Sequence, residues 1–149
     1  MSKKLGVRAV IINDSQLIMV EHVEKGHGAF YIFPGGGLED QESIFDATVR
    51  EVAEETNLVV IPEAIIYIRE TRMGENMGVE FYVKCRLESG ELNLGHDPEK
   101  DSQVLKSVSD VPLDKLQDIK WFPEELRGVL FNDVKIDTSA FRYLGVHDF

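Results

Sequence analysis

Apolar and polar residues follow two different periods along the chain, and the change from one to the other marks out its elements. Val7 to Ile12 is an apolar run with β-branched residues, Asn13-Asp14-Ser15 has turn chemistry, and Leu17 to Val23 alternates as a returning strand, which predicts a hairpin near the start. Glu24 to Ala29 reads as a polar, glycine-containing loop. It leads into the short apolar run Phe30 to Phe33 and then Pro34-Gly35-Gly36-Gly37. Three glycines after a proline imply a backbone with unusual φ values or a close approach to another group.

At Ser43 the period becomes helical. Ser43 has the character of an N-cap, with Asp46 three residues on as an imperfect capping-box partner, and a helix is predicted from Ile44 to Thr56. Phe45, Val49, Val52 and Ala53 share one side of it and form the expected core face. Beyond Leu58 the runs Val59 to Ile61, Ala64 to Arg69 and Val79 to Leu87 are strand-like, with Met73 to Gly78 as a loop. Gly90 to Asp101 is polar and irregular, and Val104 to Val108 reads as a further strand. Pro112 to Gln117 and Pro123 to Leu130 read as short helices with proline in the first turn, and Asn132 to Phe149 is a tail without a clear pattern. Strands before and after one long helix predict a mixed α/β domain with helices packed on a sheet. With no repeat and no linker-like tract, 149 residues at 43% hydrophobic content read as one domain over 1–149.

Composition narrows the partners. The formal charge of −11 argues against a nucleic-acid polymer, since affinity for a phosphate backbone comes mainly from Lys and Arg. A small anionic substrate is compatible if a divalent metal stands between it and the carboxylates. No apolar run reaches the roughly 18 residues that a membrane span needs, and Arg8 interrupts the stretch Leu5 to Ile12. A soluble, cytoplasmic protein with no membrane partner is expected. The single cysteine, Cys85, sits among Phe81, Tyr82, Val83 and Leu87 and reads as a buried core thiol.

Candidate chemistry concentrates between Gly36 and Leu58. Glu51, Glu54 and Glu55 stand at i, i+3 and i+4, which puts three carboxylates on one patch of helix, roughly opposite the expected apolar face. Like charges so placed destabilise a helix by about 0.2 to 0.5 kcal/mol per pair unless cations neutralise them. A solvated acidic face is the ordinary explanation of such a triplet. The context favours another: Glu39, Asp40, Glu42, Asp46 and the triplet stand against Arg50 alone, a net of −6, and a Gly-rich turn feeds the same helix. Hard divalent ions such as Mg²⁺ prefer carboxylate, carbonyl and water oxygens together with substrate phosphate.

The stretch closely resembles the Nudix box, G-x5-E-x7-R-E-U-x-E-E-x-G-U with U a bulky apolar residue. Gly36, Glu42, the run Arg50-Glu51-Val52-Ala53-Glu54-Glu55 and Leu58 match it, and Asn57 replaces the final glycine. Asn is the non-glycine residue that best tolerates the left-handed conformation that commonly ends a helix, so the turn is expected to survive. The resemblance implies a Nudix-type mixed sheet sandwiched between helices, with a loop-helix-loop catalytic motif over 36–58. It further implies a pyrophosphohydrolase using Mg²⁺ or Mn²⁺, with water attacking phosphorus in a nucleoside diphosphate linked to a moiety X. ADP-ribose, a nucleotide sugar or a modified nucleoside triphosphate would each qualify.

Carried over by position, the metal ligands implied are Glu51, Glu54, Glu55 and the carbonyl of Gly35 or Gly36, and Arg50 with Glu42 is the supporting ion pair. Glu51, Glu54 and Arg50 are thus the implied catalytic residues, with Glu51 a candidate general base. A carboxylate outside the box fills that role in some members, and Glu99 and Asp101, with Glu80 behind them, are the candidates here. Tyr31 and Phe33 are candidates to line the nucleotide pocket. Trp121-Phe122 reads as core packing, and His22, His27, His96 and His147 lack the spacing of a metal site. A homodimer fits the resemblance. The rival reading is a non-catalytic nucleotide sensor with a Nudix fold, which the complete Glu51-Glu54-Glu55 set disfavours.

Overall fold

The computed structural model describes residues 3–24, 26, 28–92, 105–135 and 141–148. Its first strand, β1 (Lys3–Asn13), turns through Asp14 and Ser15, both at positive φ, into β2 (Gln16–Glu24). The expected hairpin forms only at its mouth, where Ile12 pairs Leu17 and Asn13 pairs Gln16. Beyond that point the two strands separate into different ladders. β2 runs antiparallel to both β3 (Gly28–Ile32) and β7 (Leu105–Pro112). β1 instead runs parallel to β6 (Asn76–Ser89) and antiparallel to the three-residue β4 (Gly35–Gly37). β6 pairs β5 (Val59–Met73), which carries β8 (Arg142–Asp148) on its far side.

Several expectations change at this level. Met73 to Gly78 is a tight turn at Gly74-Glu75, and strand pairing resumes at Met73 opposite Asn76. The three glycines are a strand, and their lack of side chains has a structural reason at Gly35. A Cβ there would lie 1.9 Å from the Val7 carbonyl oxygen, so the β1–β4 pair closes only around hydrogen. The tail contains β8, whose pairing partner lies some 75 residues upstream and leaves no local trace. Pro112 to Gln117 becomes a 3-10 helix over Leu113–Asp118. Pro123 to Leu130 becomes a 3-10 turn, Glu124–Leu126, followed by α2 (Leu130–Lys135).

Strand alternation divides the core in two. Ala9 and Ile11 point with Ile18, Val60, Val83 and Cys85 towards α1 (Ile44–Thr56), where Val52 and Leu58 meet them. Val10, Leu17, Met19, Phe33, Tyr67 and Tyr82 point the other way and pack with Val111, Leu116, Trp121, Leu126 and Leu130. The mixed sheet is therefore covered on one face by α1 and on the other by the 3-10 segments and α2. Cys85 is buried as expected, and burial pushes its thiol pKa up to about 12. Among the described residues no helix is long and apolar enough to cross a membrane.

The helix α1 begins and ends as its sequence predicts. Ser43 Oγ accepts from the Asp46 amide at 3.0 Å, and Asn57 closes the other end at φ 63°, its amide donating to the Ala53 carbonyl. The expected inward face is wrong, however. Phe45 is 38% exposed and Ala53 is exposed, while Ala47, Thr48, Glu51, Val52, Glu55 and Thr56 are buried. Glu51 and Glu55 thus lie on the sheet side of the helix rather than opposite its apolar face, while Glu54 stays partly exposed. Thr48 and Thr56 can be buried because their hydroxyls donate to the Ile44 and Val52 carbonyls four residues back. Counting them as polar misplaces the face.

Candidate active site

Two carboxylates on the covered side of a helix are costly unless something compensates them. Glu51 is only 6% exposed and Glu55 only 3%. Glu51 is accommodated by Gly36, since a Cβ at that position would lie 2.5 Å from Glu51 Oε1 and 2.7 Å from Oε2. The glycine that opens the loop is therefore the cradle of the helix carboxylate. This couples the turn and the helix more closely than sequence spacing reveals.

The charge is organised by Arg50. Its Nε and Nη2 donate to the two oxygens of Glu42 at 2.6 and 2.8 Å, a two-point bond, and Nη2 also donates to the Gly37 carbonyl at 3.0 Å. Its Nη1 donates to Glu51 Oε1 at 3.1 Å and to Glu54 Oε2 at 3.2 Å. One guanidinium therefore ties the loop before the helix to two of the three carboxylates on it. The bond to Glu42 is the main reason Arg50 holds its proton more tightly than usual, and the same bond holds the Glu42 carboxyl below the usual range. Glu51 shifts the opposite way: desolvation raises its proton affinity, and Arg50 only partly offsets that. Glu54, with its side chain 37% exposed, is the most accessible of the three.

All the donors here are hard oxygens, two of them buried, beside a cradle that a Cβ would fill. That chemistry fits a divalent cation of the Mg²⁺ or Mn²⁺ kind. Among the described residues no group of three or more His, Cys, Asp and Glu side chains is already gathered for a metal. Here Glu51 and Glu54 are turned towards Arg50 Nη1. Gly35, the other implied ligand, is paired with Arg8 across β4 and β1.

Arg8 leads from the helix to a cleft of about 520 Å³ lined by Phe30, Ile32, Phe33, Tyr82 and Phe122, with Arg8, Arg69, Glu80 and Asp148 as its charged groups. A cleft of this size, mostly apolar with a few polar groups, is the usual form of a small-molecule site. Phe33 lines the cleft. Tyr31 does not: strand alternation puts Phe30 and Ile32 on the cleft side and turns Tyr31 towards Glu21 and the core, so the pocket residue is the neighbour of the one expected. The Trp121-Phe122 pair divides likewise. Trp121 is core, its indole donating to the Leu116 carbonyl at 3.0 Å, whereas Phe122 meets Phe30 edge-on at 5.6 Å in the cleft wall. His22, also in the wall, stacks on Phe30 at 5.5 Å.

Sequence reasoning passed over Arg8 and Arg69. Arg8 carried a signal, as a charge inside a β-branched run, but its partners lie 25 and 72 residues away. Glu80 has both oxygens engaged, Oε2 by Arg8 and Oε1 by Arg69. Glu99 and Asp101, the candidate acids outside the box, lie outside the described residues, as do His27 and His96.

A family model described as NUDIX domain matches residues 2–132. Among similar solved structures is a NUDIX hydrolase from Nitrosomonas europaea, at 14% identity and TM-score 0.75 over 100% of this chain and 81% of that one. Another is a MutT protein from Bacillus halodurans, at 19% identity and TM-score 0.73 over 98% and 90% of the two chains. A third is an ADP-ribose pyrophosphatase from Streptococcus suis, at 18% identity and TM-score 0.64 over 98% and 100%. At such identities the likeness to these structures is one of fold.

Proposed function

The chain belongs to the NUDIX domain family, and from that premise we propose a hydrolase that uses Mg²⁺ or Mn²⁺ to cleave a nucleoside diphosphate linked to a second moiety. The observation that carries the reading is the placement of Glu51, Glu54 and Glu55 on one helix beside the Gly36 cradle, with the aromatic cleft reached through Arg8. A bound divalent cation supplies charge neutralisation for a diphosphate and a water acidic enough to attack phosphorus. The protein's own groups divide the rest of the work. Glu54, the most exposed carboxylate, and Glu55 with the Gly35 carbonyl are the proposed ligands. Glu51 is both ligand and candidate proton acceptor, its carboxylate lying between the Gly36 cradle and Arg50. Arg50 keeps Glu51 and Glu54 in register with the loop.

The cleft takes one flat end of the substrate, with Phe30 and Phe122 offering ring faces and edges to a nucleobase above the buried Phe33. ADP-ribose, nucleotide sugars, dinucleoside polyphosphates and modified nucleoside triphosphates are the substrate classes to screen. The test is product chromatography on that panel with Mg²⁺, for the wild type and Glu54→Gln. Nucleoside monophosphate release by the wild type and a loss of two or more orders of magnitude in the variant are expected. Ligand binding without turnover across the whole panel would instead establish a sensor. The partner expected is this small substrate; sedimentation of the same preparation tests the expected homodimer.

A further inference from the structure

We propose that Arg8, outside the catalytic motif, is a positioning residue that fixes the backbone of the metal-binding turn and is itself aimed by Glu80 and Arg69. The inference rests on the reading of the Glu51-Glu54-Glu55 helix as a divalent-metal site.

Arg8 stands in β1 between two strands that matter for different reasons. On one side it is in register with Gly35 of β4, and on the other with Tyr82 of β6. Its Nη1 donates to the Phe33 carbonyl at 3.0 Å, and the amide of its neighbour Ala9 donates to the Pro34 carbonyl at 2.7 Å. Two successive carbonyls before Gly35 are thus tied to β1, one through the backbone and one only through the Arg8 side chain. Gly35, whose carbonyl is the proposed backbone ligand, follows directly. A turn held at only one of those points could tip its next carbonyl away from the carboxylates.

The same guanidinium reaches back into the cleft. Arg8 Nε donates to Glu80 Oε2 at 3.2 Å, while Arg69 Nη1 and the Tyr82 hydroxyl reach Glu80 Oε1 at 3.0 and 3.4 Å. Arg69 Nε in turn donates to Glu125 at 3.2 Å. Each of these side chains has its direction set by the next, so Arg8 is held rather than free to rotate. Burial opposes the charge on Arg8, but Glu80, with Tyr82 and Glu55, more than offsets it, so the cation persists beside the buried Glu55. Only a planar fork reaches the Phe33 carbonyl and Glu80 together.

Titration of Mn²⁺ followed by its electron paramagnetic resonance signal, on the intact chain, tests this without turnover. Arg8→Ala is expected to weaken Mn²⁺ binding by about 10- to 100-fold, the loss usual when a group supporting a metal ligand is removed. Added methylguanidinium should restore part of it, and kcat should fall more than KM rises. Arg8→Lys keeps the charge but reaches only one of the two acceptors, so it should retain most of the defect. A merely structural arginine would instead lower the melting temperature while folded Arg8→Ala bound Mn²⁺ as the wild type does; that result overturns the proposal. Should Arg8→Ala not fold, wild-type Mn²⁺ affinity in both Arg8→Lys and Glu80→Gln overturns it equally. If Glu54→Gln binds Mn²⁺ no more weakly than the wild type, the metal-site reading itself falls, and this inference with it.

Discussion

Replacing Arg50 by alanine removes the group on which the loop and the helix both depend, and the cost follows from what remains. Glu42 loses a two-point bond at 2.6 and 2.8 Å with its side chain only 13% exposed, and Glu51 loses its bond at 7% exposure. Breaking a buried ion pair by deleting one partner costs about 3 to 5 kcal/mol, because the other charge stays behind. Arg50 is itself 23% exposed, so water entering the vacated space offsets part of this, and the bond to the more exposed Glu54 adds at most about 1 kcal/mol. A net loss of about 3 kcal/mol results, which for a chain of this size lowers the melting temperature by roughly 6 to 12 °C. Differential scanning calorimetry of Arg50→Ala against wild type measures it. The variant also loses the group that holds Glu51 and Glu54 in register with the loop, so added Mg²⁺ should raise its melting temperature by less than it raises that of the wild type. A melting temperature within 2 °C of wild type, on the order of the change caused by under 1 kcal/mol, refutes the claim that Arg50 organises the site.

Three further outcomes follow from the same geometry. A methyl at Gly36 meets the carboxylate end of Glu51 first, whereas one at Gly35 meets the Val7 and Arg8 backbone. Gly36→Ala should therefore be less destabilised than Gly35→Ala, with a melting temperature lowered by the displaced Glu51, yet lose most of its kcat; similar behaviour of the two in melting and kinetics rejects the cradle. At φ 63°, Asn57→Gly should lie within about 0.5 kcal/mol of wild type in urea unfolding, because the lost bond to the Glu91 carbonyl offsets the relief of strain, and Asn57→Ala should cost about 1 kcal/mol. Asp133 is held below the usual carboxylate range chiefly by the Arg142 hydrogen bonds and also by the Tyr67 hydroxyl. Its contribution to stability is complete above its unfolded pKa of about 4 and disappears as pH falls through the lower folded value, so Asp133→Asn should flatten the acid limb of stability against pH.

What the sequence made legible was local. The caps of α1, the left-handed Asn57, the carboxylate spacing and the burial of Cys85 are each decided within a few residues, where propensity and period have force. What escaped was set by distant partners. Nothing near Leu17 says that β2 leaves β1 after two pairs to join β3 and β7, and nothing near Phe30 says that it, rather than Tyr31, will face the cleft. The inward face of α1 escapes the sequence for a different reason. The rule that apolar residues are buried and polar ones exposed fails here, since Phe45 lies outside and two threonines and two glutamates lie inside.

That inversion sets α1 apart from an ordinary amphipathic helix and supports the proposed metal site. Three glutamates on a solvated face would be screened by water and would gain little from a cation. With Glu51 and Glu55 buried, the same charges stand where the effective dielectric is lower, so they repel one another more strongly and attract a divalent ion more strongly. In this structure the protein meets part of that charge with Arg50 and Arg8, each anchored by a further carboxylate, Glu42 and Glu80, that takes no place among the proposed ligands. The anchoring carboxylates keep the two arginines fixed, so their charge stands beside the acidic helix without filling the place of a metal. An acidic chain therefore needs both arginines at this site, and a variant that loses either should bind Mn²⁺ less tightly even though it becomes more negative.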